Sequence, residues 1–178
     1  MPRPDSATVF STMPSPVGEL LLTADDAGVT GLFMDAHRHG PVHTEGWRRD
    51  DERLAEVRRQ LDEYFAGTRR TFDLALNPRG TDFQHAVWRA LREIPYARTC
   101  SYGAVASAIG NPKGVRAVGL ANGRNPISII VPCHRVVGSD GSLTGYGGGI
   151  ERKQWLLAHE QRFAGQPSLF PGESLDKR

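Results

Sequence analysis

The chain has 178 residues, 39% hydrophobic and 24% charged, with a formal net charge of +2 at pH 7. That is an ordinary globular composition, with enough chain for one core or two small ones. No apolar run approaches the roughly 20 residues that span a bilayer, and Met1-Pro2-Arg3-Pro4-Asp5 does not lead into a secretory stretch, so a cytoplasmic protein with no membrane contact is expected.

The charge is unevenly placed. Residues 1–80 hold ten Lys and Arg against thirteen Asp and Glu, whereas residues 81–163 hold ten against five. The second half is therefore suited to a polyanion, through Arg89, Arg92, Arg98, Lys113, Arg116, Arg124, Arg152 and Lys153. A solvated surface accounts for the same excess.

Three short β-prone segments come first, at residues 8–12, 19–23 and 29–34, separated by the turn-like Pro14-Ser15-Pro16-Val17-Gly18 and Asp25-Asp26-Ala27-Gly28. They predict a small antiparallel sheet. Residues 36–50, with three His, two Gly and one Pro, read as a loop. Residues 51–66 place Leu54, Val57, Leu61, Tyr64 and Phe65 at helical spacing, with Gly67 as the stop. Residues 71–76 predict a returning strand and Asn77-Pro78-Arg79-Gly80 a linker. The expected organisation is α/β (α+β) in two domains: an N-terminal sheet with a helix over residues 1–78 and a mostly helical C-terminal domain over 79–165, with a mobile tail over 166–178.

Beyond the linker, Thr81 caps a helix over residues 82–93 whose Phe83, Val87, Ala90, Leu91 and Ile94 face inward, ended by Pro95. Ser101 caps a second over 102–109, Gly110-Asn111-Pro112 turns the chain, and 113–122 forms a third closed by Gly123. Two short helices around a Gly-containing turn outline a helix-turn-helix, although helical hairpins that never touch DNA share that outline. The second helix carries Arg116, Ala117, Gly119, Ala121 and Asn122. It leads through Arg124-Asn125-Pro126 into the branched aliphatics Ile127, Ile129, Ile130 and Val131, read as a strand, and so to Pro132-Cys133-His134-Arg135-Val136-Val137.

This hexapeptide carries the chemistry. The chain has two cysteines, and a reducing compartment favours free thiols; Cys100 has no assigned role, whereas Cys133 stands beside an imidazole. The thiolate is the nucleophile, so a reactive cysteine needs a cationic or proton-accepting neighbour. His134 is the nearest, and because adjacent side chains in an extended segment diverge, the two cooperate only across a local turn or a bridging water. A carboxylate that orients the imidazole would complete the relay. In a helix over 151–163, Glu160 lies on or beside the apolar stripe, four residues after Leu156, and a carboxylate facing a core must be paired. The alternatives are a local pair of Glu160 with Arg162 or Lys153, and a buried structural Cys133. His85 and His159 read as ordinary helix histidines.

The segment Ile130-Val131-Pro132-Cys133-His134-Arg135-Val136-Val137 closely resembles the active-site signature of the O6-alkylguanine-DNA alkyltransferases, the methylguanine-DNA methyltransferase family. Ser101-Tyr102-Gly103, Asn111-Pro112-Lys113, Arg116-Ala117-Val118-Gly119, Asn125-Pro126, Thr144-Gly145-Tyr146-Gly147-Gly148-Gly149 and Lys153-Gln154-Trp155-Leu156-Leu157-Ala158-His159-Glu160 look like family segments in family order. The resemblance covers nearly all of residues 80–162. It implies a ribonuclease H-like N-terminal domain and direct-reversal DNA repair, with irreversible single-turnover transfer of the O6-alkyl group of a flipped-out O6-methylguanine to Cys133.

The resemblance also implies residue roles. Arg116 would enter from the minor groove and replace the extruded nucleotide, with Ala117, Asn122 and Gly123 on the same DNA-binding helix. Tyr102 would crowd the target phosphate and donate to guanine N3. Carbonyls at Cys133 and Val136 would accept from the exocyclic amine and the Gly147 amide would donate to O6. Tyr146, Gly148 and Lys153 would complete the pocket, with Asn125 as a hinge and His134, a water and Glu160 taking the proton. No cofactor and no metal are implied; the partner is double-stranded DNA and the protein a monomer, cooperation along DNA and O4-methylthymine repair being left open.

Two departures matter. Some relatives hold zinc in the first domain through two cysteines and two histidines, and here that half has no cysteine; His37, His39 and His43 read as a polar loop. Asn122 stands where a bulkier apolar side chain could assist base extrusion, leaving the wedge to Arg116. Rival readings are a thiol hydrolase, which would turn over, and a DNA-binding regulator without thiol chemistry.

Overall fold

The computed structural model describes residues 7–165. The expected tail over 166–178 lies outside them.

The first half is built on β1 (Val9–Met13), β2 (Leu20–Asp25) and β3 (Gly28–Met34), an antiparallel meander whose alternating side chains enter the core. The loop over 36–50 is more structured at its end than expected. Arg48–Arg49 forms β4, parallel to β1, so the sheet runs β3-β2-β1-β4 and is mixed. Helix α1 (Ala55–Phe65) buries Val57, Leu61 and Tyr64. Gly67 takes φ +79°, and a Cβ there would also collide with the Phe163 ring.

The strand expected over 71–76 does not form. Gln60 of α1 donates to the Asp73 carbonyl at 3.0 Å and accepts from its amide at 2.9 Å, taking the groups a ladder would use, and only Leu76 bridges to Val29.

In the second half, α2 (Asp82–Arg92) opens on a full capping box between Thr81 and Gln84. Its Trp88 indole donates to the Ala121 carbonyl at 2.9 Å. Two-residue β5 (Cys100–Ser101) leads into α3 (Tyr102–Ala108), capped by the Ser101 hydroxyl. Helix α4 (Val115–Gly123) starts two residues later than the spacing predicts, because the Gly114 amide closes a turn on the Asn111 carbonyl. A 3-10 turn (Cys133–Arg135), β6 (Val136–Val137), parallel to β5, and α5 (Ile150–Phe163) complete the chain.

One buried cluster joins the halves, Leu20, Leu22 and Leu32 packing in the same core as Val87, Leu91, Ile127 and Leu156. The backbone joins them too. The Leu32 amide donates to the Pro126 carbonyl at 2.9 Å and the Ser128 amide to the Leu32 carbonyl at 3.2 Å, so the edge of the first sheet supports the segment before Cys133. No helix among the described residues is long and apolar enough to cross a membrane.

Candidate active site

The segment that delivers Cys133 is a chain of turns, not the expected strand. Branched aliphatics suit strands, but only Ile127 makes a bridge, to Leu32. Beyond it the Ile130 amide folds back on the Ser128 carbonyl and the Cys133 amide on the Val131 carbonyl, both at 2.8 Å. Ile129 sits at φ +70°, a position that costs a β-branched residue about 1–3 kcal/mol. Asn125 holds the fold-back: its side chain accepts from the Ile127 amide at 3.0 Å and donates to the Val131 carbonyl at 2.8 Å. Replacing Asn125 with Ala would strand both buried groups, so Asn125→Ala should lower unfolding free energy by roughly 2–4 kcal/mol in urea titration. A loss too small to resolve would show that the turns hold themselves.

The 3-10 turn places Cys133 and His134 on one tight coil, with side chains of both buried. His134 Nε2 lies 2.7 Å from Glu160 Oε1 across 26 residues of sequence. Glu160 faces the interior of α5 and pairs with neither Arg162 nor Lys153; it collects donors from three other parts of the chain. Arg135 donates through Nε and its terminal nitrogen at 3.0 and 2.9 Å, the Tyr64 hydroxyl at 2.9 Å and the Ala97 amide at 3.1 Å.

This wiring decides the charge states. Burial opposes ionisation of Glu160, but the His134 and Arg135 interactions outweigh it and hold the carboxyl far below the usual range. Burial lowers His134, and the positive charges of Arg135 and Lys153 add to that against the pull of Glu160, so the imidazole is neutral at pH 7. A neutral ring donating Nε2–H to Glu160 presents Nδ1 as a bare acceptor, and that buried atom has no hydrogen-bond partner among the described residues. Burial raises the Cys133 thiol, with the Asn125 amide and the Lys153 charge pulling it back.

Lys153 is fully buried and donates to the Val136 carbonyl at 2.6 Å and the Thr144 carbonyl at 3.0 Å. Its ammonium thus ties β6 to the glycine-rich segment 145–149. Val136 keeps a second lone pair for a ligand. The Tyr102 hydroxyl, expected to donate to a base, here donates to the Thr144 carbonyl at 3.0 Å. Tyr146 and Gly148 are buried and Gly147 half-buried. A Cβ on Gly147 would meet the His37 ring at 2.7 Å, and its carbonyl accepts from the Arg38 amide at 2.9 Å, so a loop of the first half forms one side of the pocket wall.

On α4, Arg116 and Ala117 are exposed and Gly123 half-exposed. Asn122, expected on the DNA-binding side, is 2% exposed: the Trp88 anchor on neighbouring Ala121 turns it inward, and its amide reaches the Cys133 carbonyl at 3.4 Å. Of the large apolar side chains that α4 exposes, Val115 at its start and Leu120, the latter is the more exposed, at 69%, and lies one turn after Arg116. Sequence reasoning passed over Leu120, and also over Arg135, Tyr64 and Ala97 as Glu160 partners. The Pro-Cys-His-Arg run could have flagged Arg135. His159, read as an ordinary helix histidine, is buried, bonded to the Tyr64 carbonyl at 2.8 Å and stacked on Trp155.

Two family models match in sequence order. Residues 8–78 match "6-O-methylguanine DNA methyltransferase, ribonuclease-like domain" and residues 82–162 match the "DNA binding domain" of the same name. A methylated-DNA--protein-cysteine methyltransferase of Mycolicibacterium paratuberculosis is 52% identical over 153 residues, 86% of this chain and 92% of that one. One from Methanosarcina acetivorans is 49% identical over 152 residues, 85% of this chain and 97% of that one. The crystal structure of Mycobacterium tuberculosis OGT in complex with DNA superposes with a TM-score of 0.84 at 49% identity, covering 87% of this chain and 94% of that one. With two matched domains spanning most of the chain, around one buried Cys-His-Glu arrangement, the chain belongs to the 6-O-methylguanine DNA methyltransferase family.

Proposed function

We propose that the protein repairs DNA by direct reversal, moving the O6-alkyl group of a flipped-out O6-methylguanine irreversibly to Cys133. The observation that carries this reading is the buried Cys133-His134 turn with Glu160 fixing His134 Nε2 at 2.7 Å and leaving Nδ1 unpartnered. The Cys133 proton passes to Nδ1, directly or through one water, and the sulfur attacks the alkyl carbon in line. The S–C bond forms as the C–O6 bond breaks, and the electron pair moves into the purine, which takes up the proton. A donor to N3 spreads that charge; Tyr102 supplies it once its hydroxyl leaves the Thr144 carbonyl. The Gly147 amide donates to O6, and the carbonyls of Cys133 and Val136 accept from the exocyclic amine.

The O6 position of a stacked base is beyond the reach of a buried thiol, so the nucleotide has to be rotated out. Arg116 on exposed α4 fills the gap from the minor groove, and Leu120, one turn on, adds apolar bulk. The protein acts as a monomer on double-stranded DNA, and the domain division lies between residues 78 and 79. Arg116→Ala should slow duplex repair by roughly 10- to 100-fold, as lost positioning does, and slow transfer from free O6-benzylguanine far less. Equal losses on both substrates would make Arg116 a fold residue.

The product is a thioether with no leaving group for water to attack, so repair stops at one alkyl group per molecule. Mixing protein with a large excess of methylated duplex should give a plateau equal to the active protein. Continued linear product formation, as a hydrolase would give, overturns the reading. Since burial raises the Cys133 thiol while His134 is held neutral, the transfer rate should rise with pH above neutrality and fall in acid as the imidazole protonates. A pH-independent rate would remove the thiol from the rate-determining step.

A further inference from the structure

We infer that Arg38, His39 and Arg124 form a phosphodiester-binding site that spans both halves of the chain, at the edge of the pocket proposed for the base. The inference rests on the proposed function and names a contact between its site and the DNA strand that the first half of the chain supplies.

A cavity of about 520 Å³ opens between the loop after β3, the end of α4 and the glycine-rich segment 145–149. Arg38 and His39 line it from the first half, Arg124 and Leu120 from the second, with Tyr146 and Gly147 on the floor, and no carboxylate is among its lining residues. Several guanidinium groups of the first half are neutralised: Arg48 pairs with Asp50, Arg53 with Asp26, and Arg59 with Glu56 and Glu63. Arg38 and Arg124 form no ion pair among the described residues. His39 feels both guanidinium groups, which add to its burial in disfavouring its charged form. Two guanidinium cations and a neutral imidazole donor, gathered without a compensating acid, are arranged for an anion.

The cluster is also held in place. The Arg38 amide is bonded to the Gly147 carbonyl at 2.9 Å, and Arg152 fastens the same two segments by pairing with Asp35 while donating to the Gly148 carbonyl at 3.2 Å. The backbone that carries Arg38 and His39 is therefore fixed relative to the pocket wall. A phosphodiester is the anion that this position demands. A nucleotide rotated out of a duplex stays tied to its strand through its flanking phosphates, and the cavity lies between the end of α4 and the segment 145–149 that borders the pocket. Arginine forks match phosphate oxygens, and a neutral histidine still donates one N–H.

The test is duplex binding by full-length wild type, Arg38→Ala, Arg124→Ala and Arg38→Lys across about 50 to 200 mM salt. Arg59→Ala serves as the control for loss of a neutralised surface cation. Each lost phosphate contact should flatten the slope of log K against log salt by about 1 and weaken binding several-fold, with Arg38→Lys retaining most of the slope. Slopes for Arg38→Ala and Arg124→Ala equal to those of wild type and Arg59→Ala would overturn the site, as would binding of inorganic phosphate at the cluster with unchanged duplex slopes. Wild-type transfer from free O6-benzylguanine is run alongside. Absence of that transfer counts against the proposed chemistry, whereas unchanged slopes beside normal transfer count against this site alone.

Discussion

Cys133→Ser should abolish alkyl transfer while leaving DNA binding in place. After incubation with a duplex bearing O6-methylguanine, the intact mass of the wild type should rise by one methyl group and that of the variant should not. Serine fits the space left by the thiol, and the 3-10 turn is held by Asn125 and by Pro132 and Cys133 backbone bonds that the substitution does not touch. The chemistry does not survive, because a hydroxyl is far less acidic than a thiol and neutral His134 is too weak a base to ionise it. Loss on the order of 10⁴-fold or more is expected, by comparison with other covalent enzymes stripped of their nucleophile. Cys100 provides the internal control. It is half-buried, its thiol raised by burial, and its backbone pairs with Val136 in the small second sheet. Cys100→Ser should transfer as wild type does, and recovery of the alkyl group on a Cys100 peptide would end the assignment.

Local signals wrote much of this fold legibly. Thr81 with Gln84, and Ser101 ahead of α3, announce helix starts because caps act over three residues, and both are capped as expected. The meander of β1 to β3 follows from turn residues between β-prone segments. What failed depended on partners remote in sequence. The aliphatic run before Cys133 has strand composition, yet Asn125 and the edge of β3 bend it into turns, and Gln60 does the same to residues 71–76. Asn122, expected on the DNA-binding side, turns inward because Trp88, 33 residues from Ala121, fixes how α4 is rolled. Glu160 was legible as a carboxylate on an apolar stripe. Its donors were not, since Tyr64 is 96 residues away and Ala97 contributes only a backbone amide.

That network makes Glu160→Gln the substitution with the second largest expected effect. A carboxylate accepts on both oxygens, and here His134, Arg135, Tyr64 and Ala97 all donate to it. Glutamine keeps the shape but replaces one acceptor with an NH₂ that faces those donors, and it leaves the buried Arg135 guanidinium without a counter-charge. Breaking one side of a buried pair costs about 3–5 kcal/mol, so a marked fall in urea midpoint at pH 7 is expected. The sign with pH follows from the depressed carboxyl. Its contribution to stability is fully present above the unfolded-state pKa of about 4 and is lost as pH falls through the lower folded value. The gap between wild type and Glu160→Gln should therefore narrow in acid. Transfer should slow by roughly 10²- to 10⁴-fold, because the imidazole loses the acceptor that holds its tautomer and steadies the cation formed when it takes the thiol proton. Tyr64→Phe, which removes one donor and leaves the charge, should slow transfer much less and shift the acid limb of its pH profile. Should Glu160→Gln fold and transfer at the wild-type rate with the wild-type pH profile, the carboxylate would be a structural partner of Arg135 and the relay would end at His134.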